Sequence, residues 1–333
     1  MSTLIGNRAV QLLLVLLAAQ LALIIGLSRG GGELRSSMPD TLLVDADLDS
    51  ADRIEITDAD GNQVVLVNTG DGLWTLPQFH GVAVAPIKLS TALGKLRDAR
   101  RGLPIATTAG ALKRFKVADR DFERKLTFKR GAVELATVLL GSSPGLRKVH
   151  AHTTADEVVY SVVAATYDWD ATGEGWFDRG LLGVKADALV SVTLQHAGQA
   201  ELTLTRTVKD DTAQWRASGL SADEALNPKQ ADALARALDN LRIDAIRTDA
   251  EALFAQAAPV LTLVIKTADE ERRYQLRKLD DDDAGYLLKA SQVAWIAELK
   301  SWNAEPLINS ADPRTLTVSA DPAASPAAPT TTD

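Results

Sequence analysis

Gly141-Ser142-Ser143-Pro144-Gly145 matches the G-x-S-x-G elbow of serine hydrolases, with His150, His152 and Asp156 close downstream. That chemistry needs a strand–turn–helix elbow, which lifts the serine above a parallel sheet beside oxyanion donors. Here ATVLLG and VHAHTT flank the pattern and alternate like strands. The stretch is therefore a Gly/Pro/Ser loop between two strands, with Ser143 as a turn residue. His150 and His152 are two positions apart, so on a strand both rings point the same way. With Asp156 or Glu157 near the next turn they are candidate zinc or copper ligands, although a third and fourth ligand at definite spacing are missing. The alternative is an exposed strand face carrying two solvated imidazoles. Leu287 and Lys289 stand in the comparable region later in the chain, so the unit does not require ligands there.

Other chemistries are weaker still. Asp45, Asp47 and Asp49 alternate like the start of a calcium loop, but Ser50 stands where glycine is obligatory and Ile56 where the closing Glu belongs. The run Asp280 to Asp283 also lacks its closing Glu, and both stretches are better read as solvated turns. No G-x-x-x-x-G-K-[ST] loop occurs, which excludes a P-loop ATPase. The chain has no cysteine, which removes disulfides, thiolate metal sites and thiol nucleophiles together. A net charge of -8 with no basic patch beyond Lys95 to Arg101 excludes a nucleic-acid partner. No catalytic residue, metal site or cofactor is assigned on these grounds.

The elements that would position such residues fall into a repeat. Trp74 and Trp215 are 141 positions apart, and so are Ile105 and Ile246, Thr107 and Thr248, and Leu112 and Leu253. One residue of slip brings Pro86 onto Pro228 and Leu96 onto Leu238. Each copy opens with alternating apolar residues. Ile54 and Ile56, the turn DADGN, then Val64 and Leu66 predict one hairpin; Val190, Val192 and Leu194, the turn HAGQ, then Leu202 and Leu204 predict another. A Trp follows on a third strand, where it is expected to anchor a core.

Pro86 and Pro228 suit the first position of a helix, because the missing N–H would be unbonded there anyway. Asn227 is an expected N-cap, and Thr248 with Glu251 has capping-box spacing before a second, shorter helix. Further strands close each copy and lead to Trp176 and Trp302. The expected fold is α+β: two tandem copies, residues 41–185 and 186–310, of an antiparallel sheet with packed helices. The Ala/Pro/Thr-rich stretch 311–333 is expected to be a disordered tail.

Ahead of the repeat, residues 9–27 carry no charge and only Gln11 and Gln20 as polar interruptions. A helix of that length spans about 28 Å, close to the hydrocarbon thickness of a bilayer. The run is longer than a signal-peptide core, and Gly26-Leu27-Ser28-Arg29 is a poor cleavage site. A retained single-pass anchor is expected, between a tail at 1–8 and a linker at 28–40. Arg8 on one side and Arg29 and Arg35 on the other leave charge nearly silent on orientation. The short leading tail favours an exported domain.

The anchor, the segment WTLP before a helix, LLG…VHAHTTADEVVYSV and the closing WFDRGLL resemble an uncharacterised family of membrane-anchored domains of unknown function, often encoded beside ABC transporters of the gliding-motility type. The likeness covers roughly residues 40 to 308 and is strongest at Trp74, Pro86, Tyr160 and Trp176. It implies a bacterial inner-membrane protein with a periplasmic domain, acting as a non-enzymatic accessory to a transporter complex with a permease as partner. Trp215, Pro228 and Trp302 are the framework counterparts in the second copy. Asp178 and Arg179 have no counterpart in WNAEPLI, which makes them candidate contact residues together with an exposed edge at the GSSPG hairpin. An envelope-polymer hydrolase or binding protein is the alternative function.

Overall fold

The computed structural model describes residue 12 and residues 15–22, 41–102, 104–145, 147–209, 212–247, 250–256, 258–279 and 285–319. It is a mixed α+β structure with two large, mostly antiparallel sheets. The chain divides into two compact units, one containing the stretch up to Gly70 and Ile87–Thr172, the other Asp71–Pro86 and the chain from Gly173 onward.

The first run of elements is β1 (Arg53–Asp58), β2 (Gln63–Asn68), β3 (Trp74–Leu76), β4 (Val82–Ala83), α1 (Pro86–Arg97), β5 (Pro104–Ala106) and α2 (Ala109–Arg114). It continues through β6 (Val117–Ala118), β7 (Asp121–Phe122), β8 (Arg124–Arg130), β9 (Val133–Leu140), β10 (Lys148–Thr153) and β11 (Val159–Val163). Then come β12 (Leu189–His196), β13 (Leu202–Lys209), β14 (Thr212–Ser218), β15 (Glu224–Leu226), α3 (Pro228–Asp239), β16 (Ala245–Arg247) and α4 (Ala250–Ala255). The chain closes through β17 (Leu261–Thr267), β18 (Glu271–Lys278), β19 (Tyr286–Ala290), β20 (Ile296–Leu299), α5 (Ser301–Ser310), α6 (Pro313–Leu316) and β21 (Thr317–Ser319).

In the first unit the strands lie in the order β2-β1-β8-β9-β10-β11-β5. In the second the order is β13-β12-β17-β18-β19-β20-β16, with β14 outside β13. The two orders correspond strand for strand, which gives the chain a repeat-like architecture.

Alternation explains the buried faces. Ile54 pairs with Leu66 and Phe128, and Ile56 with Val64 and Leu126. All six are essentially excluded from solvent, and each contributes about 1.5–3 kcal/mol by leaving water. In the second sheet Val192 and Leu194 pair with Leu204 and Leu202 on one side and with Ile265 and Leu263 on the other. Val190, expected on that inner face, is instead exposed. A register shift between Leu189 and Ser191 inserts one residue, which turns Val190 outward and brings Leu189 in.

Pro86 and Pro228 each occupy the first position of their helix. Leu89, Ala92 and Leu96 are buried along α1, as are Ala231, Leu234, Ala235 and Leu238 along α3. Asn227 sits at the N-cap of α3, yet its side chain makes no cap bond; its amide donates to the Thr315 carbonyl at 3.5 Å. Thr108 does cap α2, accepting from the Ala111 amide at 3.3 Å. Thr248 lies outside the described residues, as does the run 280–283.

Expected to be part of a tail, residues 311–319 are instead built into the fold. Ala311 and Leu316 are fully buried, α6 is capped by Asp312, and β21 pairs with β15. Pro313 at the first helical position and Leu316 provide the helix signal and the apolar anchor that composition alone conceals. Residues 320–333 lie outside the described residues.

No helix among the described residues is long and apolar enough to cross a membrane. Of the stretch 9–27, only residue 12 and residues 15–22 are described; they are helical, with Val15, Leu16, Leu17 and Leu21 exposed.

Candidate functional site

The histidines of β10 are buried rather than solvated, at 7% and 9% exposure, which corrects the exposed-face alternative. The His150 ring lies 4.3 Å, centroid to centroid, from that of Phe115 at the end of α2, which covers this part of the sheet. Its Nδ1 is 2.7 Å from the Ser142 carbonyl and 3.0 Å from the Ser142 hydroxyl. Donation to the carbonyl sets the tautomer, and the Ser142 hydroxyl then donates to the Phe115 carbonyl at 3.2 Å. This serine is held without being activated. His152 Nδ1 is 3.4 Å from the Val158 carbonyl. Among the described residues no group of three or more His, Asp or Glu is placed to hold a metal ion.

Ser143 stands apart from both histidines. Its hydroxyl donates to the Lys148 carbonyl at 2.8 Å and accepts from the Gly145 amide at 3.2 Å, which closes the loop between β9 and β10. Asp156 accepts from the Val158 amide at 2.9 Å and pairs with Arg101 at 2.9 Å. Ser143, His150 and Asp156 thus belong to separate networks. Nor is the GSSPG hairpin at a sheet edge: β9 lies between β8 and β10, and β10 between β9 and β11. Of that hairpin's described residues, Ser143, Pro144 and Gly145 are exposed.

Two grooves open on the polar face of the first unit. One, of about 320 Å³, is lined by Leu43, Arg101, Glu134, Thr137 and Thr153 among others. The second, of about 330 Å³, adds Glu55, Lys125, Thr127 and Lys129 and shares Glu134, Thr137 and Thr154 with the first. Arg101 anchors the first groove through Asp156, through the Leu43 carbonyl at 3.2 Å and through the Tyr160 ring, whose centroid is 5.4 Å away. The Thr153 hydroxyl is buried there without a hydrogen-bond partner among the described residues.

Across the sheet, Glu55 pairs with Thr127 and Thr127 with Thr137. Thr137 donates to Glu134 at 2.7 Å and accepts from the Thr127 hydroxyl, 3.2 Å away. Burial alone would raise the Glu55 pKa, but hydrogen bonds from Arg53 and Lys129 outweigh it and hold the carboxyl below its usual range. Such a face offers donors, acceptors and both charge signs to a polar ligand. Its signal in the sequence is the outward parity of the strands, Glu55 and Thr57 alternating with Ile54 and Ile56, and Thr127 between Leu126 and Phe128.

The framework residues have unequal fates. Trp176 is fully buried and Tyr160 nearly so, whereas Trp74 and Trp215 are only half-buried. The Trp215 indole donates to Asp232 at 2.8 Å, so it serves as a half-exposed brace rather than a core anchor. Trp302, at 67% exposure, is open to solvent on α5. Arg179 is exposed yet engaged within the chain, donating to the Ile243 and Asp244 carbonyls at 3.1 and 2.8 Å, while Asp178 accepts from the Gly180 amide at 3.0 Å. This pair fastens a turn to its own unit.

No curated protein and no solved structure matches the chain. A family model does, over residues 74–259, a span from β3 to the start of the second unit's later strands. By that match the chain belongs to the DUF4340 family, a domain of unknown function.

Proposed function

We infer that the protein is a non-enzymatic accessory subunit of an envelope complex of the ABC-transporter kind. In this reading residues 9–27 tether it to the bacterial inner membrane, and tandem copies of one unit, residues 41–185 and 186–310, stand in the periplasm. The uncovered apolar side chains of residues 15–22 support the tether. Matching strand orders support the duplication.

The observation that carries the reading is the free edge at β14. This seven-residue strand ends the second unit's sheet and among the described residues pairs only with β13, whereas β16 at the other end has three residues. A long edge presents a row of backbone donors and acceptors to an added strand. N–H direction alternates along a strand, so of proline substitutions at Arg216 and Ala217 one points outward and leaves the ladder to β13 intact. That fold-preserving variant should lose a transporter permease which the wild-type chain retains through gentle solubilisation. Recovery of the wild-type chain alone and monomeric, or an unaffected complex with both proline variants, would count against the proposal.

A further inference from the structure

A groove of about 530 Å³ runs between α3 and α5 in the second unit. Gln230, Ala233 and Ala237 line it from α3 at helical spacing, with Asn240 at that helix's C-cap, and Trp302, Pro306 and Asn309 from α5. Its lining includes the small side chains of Ala233 and Ala237, and buried Ser310, whose hydroxyl donates to the Leu307 carbonyl at 3.0 Å. The rim is different. Among the described residues, the side chains of Gln230, Arg236, Asn240 and Asn309 make no hydrogen bond or ion pair within the chain. Trp302 stands at the lip with Lys300 5.0 Å from its ring centroid, and its 67% exposure leaves the indole open. An exposed indole beside amides and a guanidinium that are free to exchange water for a ligand is a surface able to receive one.

The chemistry of this lining selects a class of ligand. An indole offers a flat apolar face, and a primary amide presents a donor and an acceptor side by side. Together they match a molecule with C–H faces and rows of hydroxyls. The lining contains a guanidinium and no carboxylate, so the ligand is neutral or carries a carboxylate of its own. Protein-binding hot spots instead place their anchors in a dry apolar centre, and the centre here is alanine flanked by amides. From Gln230 to Asn240 the helix advances about 15 Å, longer than one sugar ring. We propose that this groove binds an oligosaccharide, with Trp302 as the stacking platform and Gln230, Arg236, Asn240 and Asn309 as the hydroxyl-binding groups.

The site stands independently of any transporter partner, so its test uses the full-length chain alone, in a detergent without a sugar headgroup. Chitotetraose, cellotetraose and tetragalacturonate are titrated calorimetrically. At least one should bind, and Trp302→Ala and the pair Arg236→Ala with Asn309→Ala should each weaken that binding at least about tenfold. The unfolding midpoint should stay unchanged, because the substituted side chains are exposed. A greater effect of Arg236→Ala on tetragalacturonate than on the neutral oligomers would support a carboxylated ligand at this site. No binding of any of the three at millimolar concentration would overturn the proposal. So would binding that survives Trp302→Ala, including a variant that keeps the saccharide but loses a membrane-protein partner.

Discussion

Trp176 and Trp302 close the two halves of the chain, and the same side chain has opposite uses. Trp176 lies in a one-turn 3-10 helix, Glu174–Trp176, and is fully buried. Its carbonyl accepts from the Ala85 amide at 2.7 Å, and the neighbouring Phe177 ring meets Phe79 edge-on at 5.1 Å. Trp302 begins the longer helix α5, where Ala304 and Leu307 face inward and the indole faces solvent. The residues C-terminal to each Trp decide the outcome. After Trp176 comes FDRGLL, whose Phe177 and Leu182 are buried through a glycine-containing turn; after Trp302 comes NAEPLI, which continues as helix. A repeated order of elements does not carry a repeated role for each residue.

Truncating both rings gives the sharpest test of that difference. Trp176→Ala should cost about 3–5 kcal/mol, the penalty for emptying a fully packed aromatic site. Trp302→Ala should stay within about 0.5 kcal/mol, as for other exposed positions. Urea denaturation of the two variants side by side reads both values. Equal losses would mean that Trp302 is packed in solution and the contrast is false.

The segment after Trp176 is also tied to its unit by a group with no counterpart in the first half. Tyr274 on β18 is fully buried, and its hydroxyl donates to the Leu182 carbonyl at 2.6 Å while accepting from the Gln292 amide at 2.9 Å. Burial pushes the phenol pKa up, so it remains protonated and a donor across the neutral range. The aligned strand β9 reads VELATVLL and holds no tyrosine. Tyr274→Phe should therefore destabilise by about 1–2 kcal/mol, since the ring still packs but the Leu182 carbonyl is left unpaired. Amide hydrogen exchange should rise first around residues 180–184. Exchange spread evenly over the whole second unit would show that the hydroxyl does not act on this segment.

Much of this scaffold is legible in the sequence, and the departures have physical causes. The hairpins of β1–β2 and β12–β13 can be read because a strand with one buried face must alternate. The prolines can be placed because only the first turn of a helix tolerates a missing N–H. Val190 departs from the alternation because one inserted residue inverts its side chain, and no residue type announces the insertion. The burial of His150 is hidden because Phe115 supplies the cover, and sequence spacing does not place that ring against it. Trp302 resists a sequence reading because a tryptophan suggests core until its neighbours show otherwise. The polar row of Glu55, Thr127 and Thr137 is visible in the outward parity of the same strands; only its convergence with Arg101 requires the fold.

The smallest effect separates two helix caps, neutral Thr108 on α2 and charged Asp312 on α6. Hydrogen bonds from the Arg314 side chain lower the Asp312 pKa most; burial opposes them, and the Arg314 amide and Gln199 add to the lowering, bringing it to about 2. Because the folded value lies below the usual 3.8, the stabilisation is complete above that value and is lost as pH falls toward 2. Arg314 is three-quarters exposed, and solvent screening limits the charge-dependent part to about 1 kcal/mol or less. Asp312→Asn keeps a capping oxygen and removes the charge. It should lower stability by that amount at pH 7 and by progressively less as pH falls through about 2, whereas Thr108→Ala should cost about 1 kcal/mol at every pH. Denaturation curves across that range would expose the contrast, and an Asp312→Asn deficit that persists undiminished at pH 2 would show that shape, not charge, holds the second cap.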